Sequence, residues 1–442
     1  MSDWHFFDNA TELVACALDS QSLTNPSLKV DYVNKIVYRN HVNADHVAVI
    51  SGGGSGHEPA FTCLVGQGFL TASVAGTIFA SPSTEQILNA IVRCSETSKG
   101  VLAIVMNYTG DVLNFGVAVE KARTMGIDVD MVVVGRSKGG KVGRRGIAGT
   151  VLVQKMPALS LLKEEAFKTS QLLAYVHVSG RSDTSHNTTE VNKGDAELGM
   201  GIHSETGSSF EKADIAGLVK KKKLKQLLEI DDKDRAFLQV SAPIVLMLNN
   251  LGGVSVLELG AITAIVGQYL ASDYSICPVR VLSGTYMTSL NGVGFSITLL
   301  NLEASSSYDL WELLDAPVQK GAEHPDQDEE KPQMRKLTLI ENAADVGTYD
   351  AVLATNALVS GLRRLVKAEP EITRYDTVVG EGDCGIGLKT GAEAVLHHVM
   401  DQPLVGSAAL DLASILPKIE NSMDRTSGAL FAIFLNALLH AF

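Results

Sequence analysis

In the stretch VISGGGSGHEPAF, Val49 to Phe61, glycines and serines crowd around one histidine directly after the apolar run HVAVI. Such a segment can hold a phosphate on backbone N–H groups, open a turn, or let a small ligand approach the main chain. Phosphate loops need glycines at fixed offsets, and neither register fits. Counted from Gly52, a dinucleotide loop needs glycine where His57 stands, and a triphosphate loop needs Gly-Lys where His57 and Glu58 stand. What remains is a strand and then a loop that presents an imidazole and a carboxylate, His57 and Glu58, ahead of Pro59. A second histidine, His203 in LGMGIHSETG, is flanked by Gly199, Gly201 and Gly207, with Glu205 nearby. In YDTVVGEGDCG, Asp376, Glu381 and Asp383 form a dense set of hard oxygen donors, suited to Mg²⁺ held against phosphates. Their spacing departs from the EF-hand, and as a bare pattern they read equally well as an acidic turn. GRSKGGK, Gly135 to Lys141, imitates a nucleotide loop, but Val142 stands where a magnesium-binding hydroxyl is needed.

These residues need elements to position them. Strand-like runs alternate with helical periodicity through the first part of the chain: HVAVI leads into the glycine segment, VLAIVM into NYTGD, and VDMVVVG into RSKGGKVGRRG. In an open, mostly parallel sheet, ligands sit beyond the carboxyl ends of the strands, so these loops are expected to share one site. SPSTEQILNAIVRC predicts a helix capped near Ser81 or Ser83, with Ile87, Ala90 and Ile91 on one face. A second α/β section is expected over 187–316, from the strand-like PIVLMLNNLGG, CPVRVLSGTYMTSL and VGFSITLLNL. A polar, acidic, proline-punctuated linker follows at 317–336, and from 337 to 442 the pattern is helical, with a break expected at Pro370. The fold expected is an α/β region over 1–316, in two parts divided at 186/187, followed by a partial all-α domain.

Composition narrows the partners. The chain has 442 residues, 45% of them hydrophobic and 20% charged, enough for large buried cores. With 37 basic against 50 acidic residues the net charge is −13, which argues against a nucleic-acid partner. The basic run VKKKKLK, Val219 to Lys225, reads as the solvated face or end of a helix. Cys16, Cys63, Cys94, Cys277 and Cys384 follow no zinc or disulfide spacing and fit a reducing compartment. With neither signal peptide nor membrane span evident, a cytoplasmic protein is expected.

The motifs SGGGSGHEP, NYTGDVLNFG, GRRGIAGTVLV, LGMGIHSETG and NNLGGVSVLELG resemble, in this order, the substrate-binding half of the ATP-dependent dihydroxyacetone (glycerone) kinases of the fungal single-chain type. YDTVVGEGDCGIGLKTGAEAV and MDRTSGALFAIFLNAL resemble the opening of that family's helical nucleotide-binding half. The resemblance implies that His203 bonds covalently to the carbonyl carbon of dihydroxyacetone as a hemiaminal. It implies that Gly54, His57 and Asp111 contact the substrate, with Asp111 as general base and His57 aiding the adduct. It assigns Asp376, Glu381 and Asp383 to Mg²⁺ bridging the ATP phosphates, and Thr426, Ser427 and Gly428 to a helix N-terminus against phosphate. It further implies a homodimer and leaves glyceraldehyde open as a second acceptor. Met106 stands where the family commonly has lysine, Thr206 for a usual proline, Glu381 for a usual aspartate and Arg425 for a usual glycine. The helical domain is expected to be truncated at Phe442, so that the apolar final helix lacks later partners and the chain turns over ATP weakly. The competing reading is a triose-binding protein without phosphoryl transfer.

Overall fold

The computed structural model describes residues 6–7, 9–40, 42, 44–135, 146–155, 173–179, 195–199, 201–203, 209–212, 214–228, 243–302, 310–318, 348–379, 384–423 and 426–441. Two sheets of six strands and a set of helices compose them. The first sheet holds β1 (Leu28–Asp31), β2 (Ile36–Arg39), β3 (Val47–Ser55), β4 (Ala72–Ile78), β5 (Gly100–Met106) and β6 (Val129–Val134), in the order β1-β2-β4-β3-β5-β6. Its centre is parallel, β3 beside β4 and β5, and β5 beside β6, while β1 and β2 run antiparallel at one edge. The second sheet holds β7 (Leu173–Ser179), β8 (Asp195–Leu198), β9 (Ser209–Lys212), β10 (Ile244–Asn250), β11 (Arg280–Gly284) and β12 (Gly294–Asn301), in the order β11-β10-β12-β7-β8-β9. It is antiparallel except between β10 and β11. Because β7 already pairs with β12, the second sheet draws on chain ahead of the 186/187 division expected from sequence.

Alternation along the strands explains the layering. On β5, Val101, Ala103 and Val105 pack toward helices α2 (Thr84–Ser95) and α3 (Thr109–Thr124), while Leu102, Ile104 and Met106 enter a second core on the other face. That second core also takes in Val14 and Leu18 of α1 (Ala10–Thr24) and Leu152 and Val153 of α4 (Gly149–Lys155). It includes Val245 and Met247 of β10 and Leu300 of β12, so the two sheets share one hydrophobic layer. The alternate residues of β10, Ile244, Leu246 and Leu248, face a third core with α5 (Val256–Tyr274). The helix α2 begins as expected: Ser83 forms a capping box with Gln86, and Ile87, Ala90 and Ile91 are fully buried.

After the short α6 (Leu310–Asp315), the chain continues as α7 (Ala351–Val379), α8 (Cys384–Asp401), α9 (Ala408–Ser422) and α10 (Thr426–Ala441). The break expected at Pro370 is absent, and α7 runs through it. Proline removes one helical hydrogen bond, and here close packing holds the helix on both sides of the gap. Gly385 of α8 lies so near that an added Cβ would fall 2.3 Å from Thr373 Oγ1 and 2.6 Å from the Glu369 carbonyl. One side of α10 packs against α3, and α9 packs against α2. There Lys121 Nζ meets Glu420 Oε1 at 2.6 Å, with the Glu420 side chain only 4% exposed. Leu430, Phe431 and Phe434 remain on the exposed side of α10. The basic run is only partly a solvated face, since Lys223 is fully buried while Lys220 pairs with Asp273 at 3.0 Å.

Candidate active site

Gly52, Gly53 and Gly54 lie within β3 and not in a loop after it, and their neighbours leave no space for side chains. A Cβ on Gly52 would fall 2.3 Å from the Val74 carbonyl oxygen, one on Gly53 2.9 Å from Phe61 Cε2, and one on Gly54 2.7 Å from Phe79 C and Ala80 N. The Cα side of Gly54 is therefore closed by the Phe79–Ala80 backbone. Gly56 ends the strand with φ +95°, a left-handed conformation suited to glycine. This turn swings His57 and Glu58 away from the strand. Glu58 Oε2 accepts the Gly56 N–H at 2.9 Å, and burial pushes its carboxyl above the usual range against that hydrogen bond.

His57 is fully buried, and its Nδ1 lies 2.8 Å from the Thr288 carbonyl of the second sheet's β11–β12 connection. The same connection is sewn to the turn by Thr288 N–H to the His57 carbonyl at 3.0 Å and by Leu290 N–H to the Gly56 carbonyl at 2.7 Å. The His57 ring stacks on Phe79 with centroids 5.1 Å apart, and it lies 4.8 Å from the ring of His203. His203, half-buried beyond β8, also meets Tyr108 at 4.4 Å and Phe79 at 5.7 Å. Its approach is fixed from the first sheet, where the Tyr108 hydroxyl accepts the Ile202 N–H at 3.3 Å. The structure thus brings together two histidines separated by much of the α/β region. Phe79, Tyr108 and Thr288 were not singled out from sequence, although Tyr108 lies in NYTGD and Thr288 in CPVRVLSGTYMTSL.

Asp111 sits in the first turn of α3, at the carboxyl end of β5, and is 2% exposed. A helix N-terminus favours a carboxylate, but burial wins: it raises the Asp111 pKa to about 7, opposed by a hydrogen bond from Ser81. Its Oδ1 has no hydrogen-bond partner among the described residues, and its Oδ2 would be 3.7 Å from a Cβ on Gly53. A carboxyl so placed exchanges its proton near neutrality, as a general base requires. Met106, at the lysine position of the resemblance, is wholly buried in the core shared by the sheets and offers no charge to the site.

In the helical region, Asp376 lies in the last turns of α7, and its Oδ2 accepts the Cys384 N–H at the start of α8 at 2.9 Å. The residues Glu381 and Asp383 lie outside the described residues, and so does Arg425. Thr426, Ser427 and Gly428 form the first turn of α10, whose N–H groups are a ready anion site. Gly428 is pressed on the preceding turn, where a Cβ would fall 2.0 Å from the Met423 carbonyl oxygen.

The Dak1 domain matches residues 19–322 and the DAK2 domain residues 378–442. The chain is 39% identical to dihydroxyacetone kinase 1 of Saccharomyces cerevisiae over 97% of its own length and 80% of that protein's. It is similar in structure to the dihydroxyacetone kinase of C. freundii in complex with AMP-PNP and Mg²⁺, with TM-score 0.61 and 33% identity, covering 100% of this chain and 83% of that one. The dihydroxyacetone kinase operon co-activator Dha-DhaQ is similar over 69% of this chain and 96% of its own, with TM-score 0.61 and 28% identity. The order of the motifs, the two-domain match and the identity to the yeast enzyme agree: the chain belongs to the dihydroxyacetone kinase family.

Proposed function

We propose that this chain transfers the γ-phosphoryl group of Mg-ATP to dihydroxyacetone, with His203, His57 and Asp111 forming the acceptor site. The observation that carries the reading is the approach of His57 to His203, 4.8 Å between ring centroids, beneath Phe79 and Tyr108. A lone pair of the His203 ring adds to the carbonyl carbon, the carbonyl oxygen takes up a proton, and the other ring nitrogen gives one up. His57, whose ring lies 4.8 Å from that of His203, would share the proton held at that oxygen. Glycerol has no carbonyl and is excluded by chemistry, whereas the aldehyde of glyceraldehyde could form the same bond.

Asp111 then accepts the proton of the substrate's terminal hydroxyl while its oxygen attacks the γ-phosphorus and the bond to ADP breaks. With its pKa near 7, the carboxyl is available in both states at neutral pH. The donor side falls to the helical region. Asp376, a hard oxygen donor held at the mouth of α8, suits magnesium, and Glu381 and Asp383 would complete the set. When bound, magnesium supplies charge neutralisation at the phosphates. Thr426, Ser427 and Gly428 would receive phosphate oxygens on backbone N–H groups. The division into 1–316, a linker at 317–336 and 337–442, the homodimer and the cytoplasmic location belong to the same proposal.

A second reading, triose binding without phosphoryl transfer, is favoured by the likeness of the α/β region to a co-activator. An ADP-release assay with Mg²⁺, ATP and dihydroxyacetone separates the two. ADP release that requires dihydroxyacetone supports the kinase, and a dihydroxyacetone adduct without ADP release supports the binding protein.

A further inference from the structure

The paired asparagines of NNLGG, at the carboxyl end of β10, take no part in the chemistry above, yet Asn249 is fully buried. Its amide oxygen accepts the backbone N–H groups of Tyr286 at 2.9 Å and Met287 at 3.0 Å. Its amide nitrogen donates to the Met287 carbonyl at 2.8 Å and to Ser296 Oγ at 3.2 Å. All four hydrogen-bonding positions of the amide are used, and only an amide offers acceptor and donors side by side in this way. The clamp ends one residue before Thr288. Thr288 meets the histidine turn through its N–H, through its hydroxyl, which donates to the Glu58 carbonyl at 3.0 Å, and through its own carbonyl, 2.8 Å from His57 Nδ1.

A carbonyl oxygen cannot donate, so Nδ1 must carry the proton in that contact. The neutral His57 ring then keeps its lone pair on Nε2. The opposite tautomer would set two lone pairs against each other at 2.8 Å. We propose that Asn249 is a positioning residue for His57: by clamping Tyr286 and Met287 it fixes the Thr288 carbonyl, which holds His57 as the Nδ1–H tautomer. His57 then acts toward a substrate hydroxyl as an acceptor through Nε2. This refines the role given to His57 in the proposed acceptor site and rests on that reading for its catalytic meaning.

The test is ¹⁵N-histidine NMR of the full chain at pH 8, with the His57 signals assigned by their loss in His57→Gln. The wild type is expected to show a protonated Nδ1 and an unprotonated Nε2. Asn249→Asp keeps both acceptances from N–H but sets an oxygen against the Met287 carbonyl, and Asn249→Ser is too short to clamp. Both are expected to give a mixed or reversed tautomer and to lower kcat for dihydroxyacetone by about 10–100-fold, with the KM for ATP unchanged. Ser296→Ala leaves the Met287 clamp in place and is expected to keep the wild-type tautomer. A wild-type His57 with its proton on Nε2 overturns the proposal, whether or not the variants fold. So does a folded Asn249→Asp or Asn249→Ser chain with the wild-type tautomer and turnover. The tautomer is read without turnover, so an inactive wild type with Nδ1–H His57 would count against the kinase reading and not against the clamp.

Discussion

Replacing Asp111 with asparagine is expected to stabilise the protein at alkaline pH while stopping its chemistry. Burial raises the carboxyl from 3.8 to about 7. At ~1.4 kcal/mol per unit, the folded state resists ionisation of this one group by about 4 kcal/mol. The sign follows from proton counts. Below about pH 4 the carboxyl is neutral in folded and unfolded chains, and the folded state carries no penalty. As the pH rises from about 4 to about 7, the unfolded chain releases this proton and the folded chain retains it, so stability falls and stays low above that range. Asparagine does not titrate and keeps an oxygen for Ser81. Its advantage over wild type should therefore grow by about 3 kcal/mol between pH 5 and pH 8. Thermal unfolding of both proteins at the two pH values reads this difference, and equal offsets at both would refute the assignment of a buried, proton-holding carboxyl. The same variant should still form the His203 adduct yet lose turnover by about 10²–10⁴-fold, the usual worth of a positioned base.

Three further outcomes are expected. Crystals of the chain soaked with dihydroxyacetone should show density continuous from the His203 ring to the ligand and none in His203→Ala; a ligand seated without that bond would remove the covalent step. Gly54→Ala drives a Cβ to 2.7 Å from the Phe79 and Ala80 backbone, and so should displace the ring stacked on His57. A loss of about 1–3 kcal/mol in stability and weaker dihydroxyacetone binding by calorimetry are expected, and wild-type values for both would refute the packing argument. Asp376→Ala removes the acceptor of the Cys384 N–H and a magnesium donor, so it should weaken Mg-ATP binding at least about tenfold while leaving dihydroxyacetone binding intact. An unchanged affinity for Mg-ATP would remove Asp376 from the donor site.

The strands were legible because they are buried on both faces: VLAIVM cannot be a surface segment, and β5 is buried throughout. His57 stood out because it follows a strand-like run and a glycine segment that fits no phosphate loop, whereas His203 gained its role only through the resemblance. What the glycines do was not legible, since their crowding by Val74, Phe61 and Phe79 depends on how β3 meets β4 and the segment after it. Thr288 and Asn249 were invisible for a related reason. Their importance arises from the seating of one sheet on the other, and no periodicity within a strand encodes that. Asp111 came only through the resemblance, because a single carboxylate after a strand resembles any helix start. The reading of Pro370 as a break failed because local propensity was set against tertiary packing, and the contact of Gly385 with Glu369 and Thr373 outweighs it.

His57 and Asp111 hang from the first sheet, the Thr288 carbonyl comes from the second, and the hydrogen bond from Ile202 to Tyr108 ties the two just before His203. Met106 and Tyr108 from one side and Ile202, Leu251 and Met287 from the other belong to the core that both sheets share. The α3 helix that carries Asp111 at its first turn also presents Lys121 to Glu420, tying the helical region to the first sheet's side of the chain. Phosphoryl transfer is governed by positioning, and on the proposed reading one helix ties Asp111, the base, to the helical region that would carry the donor.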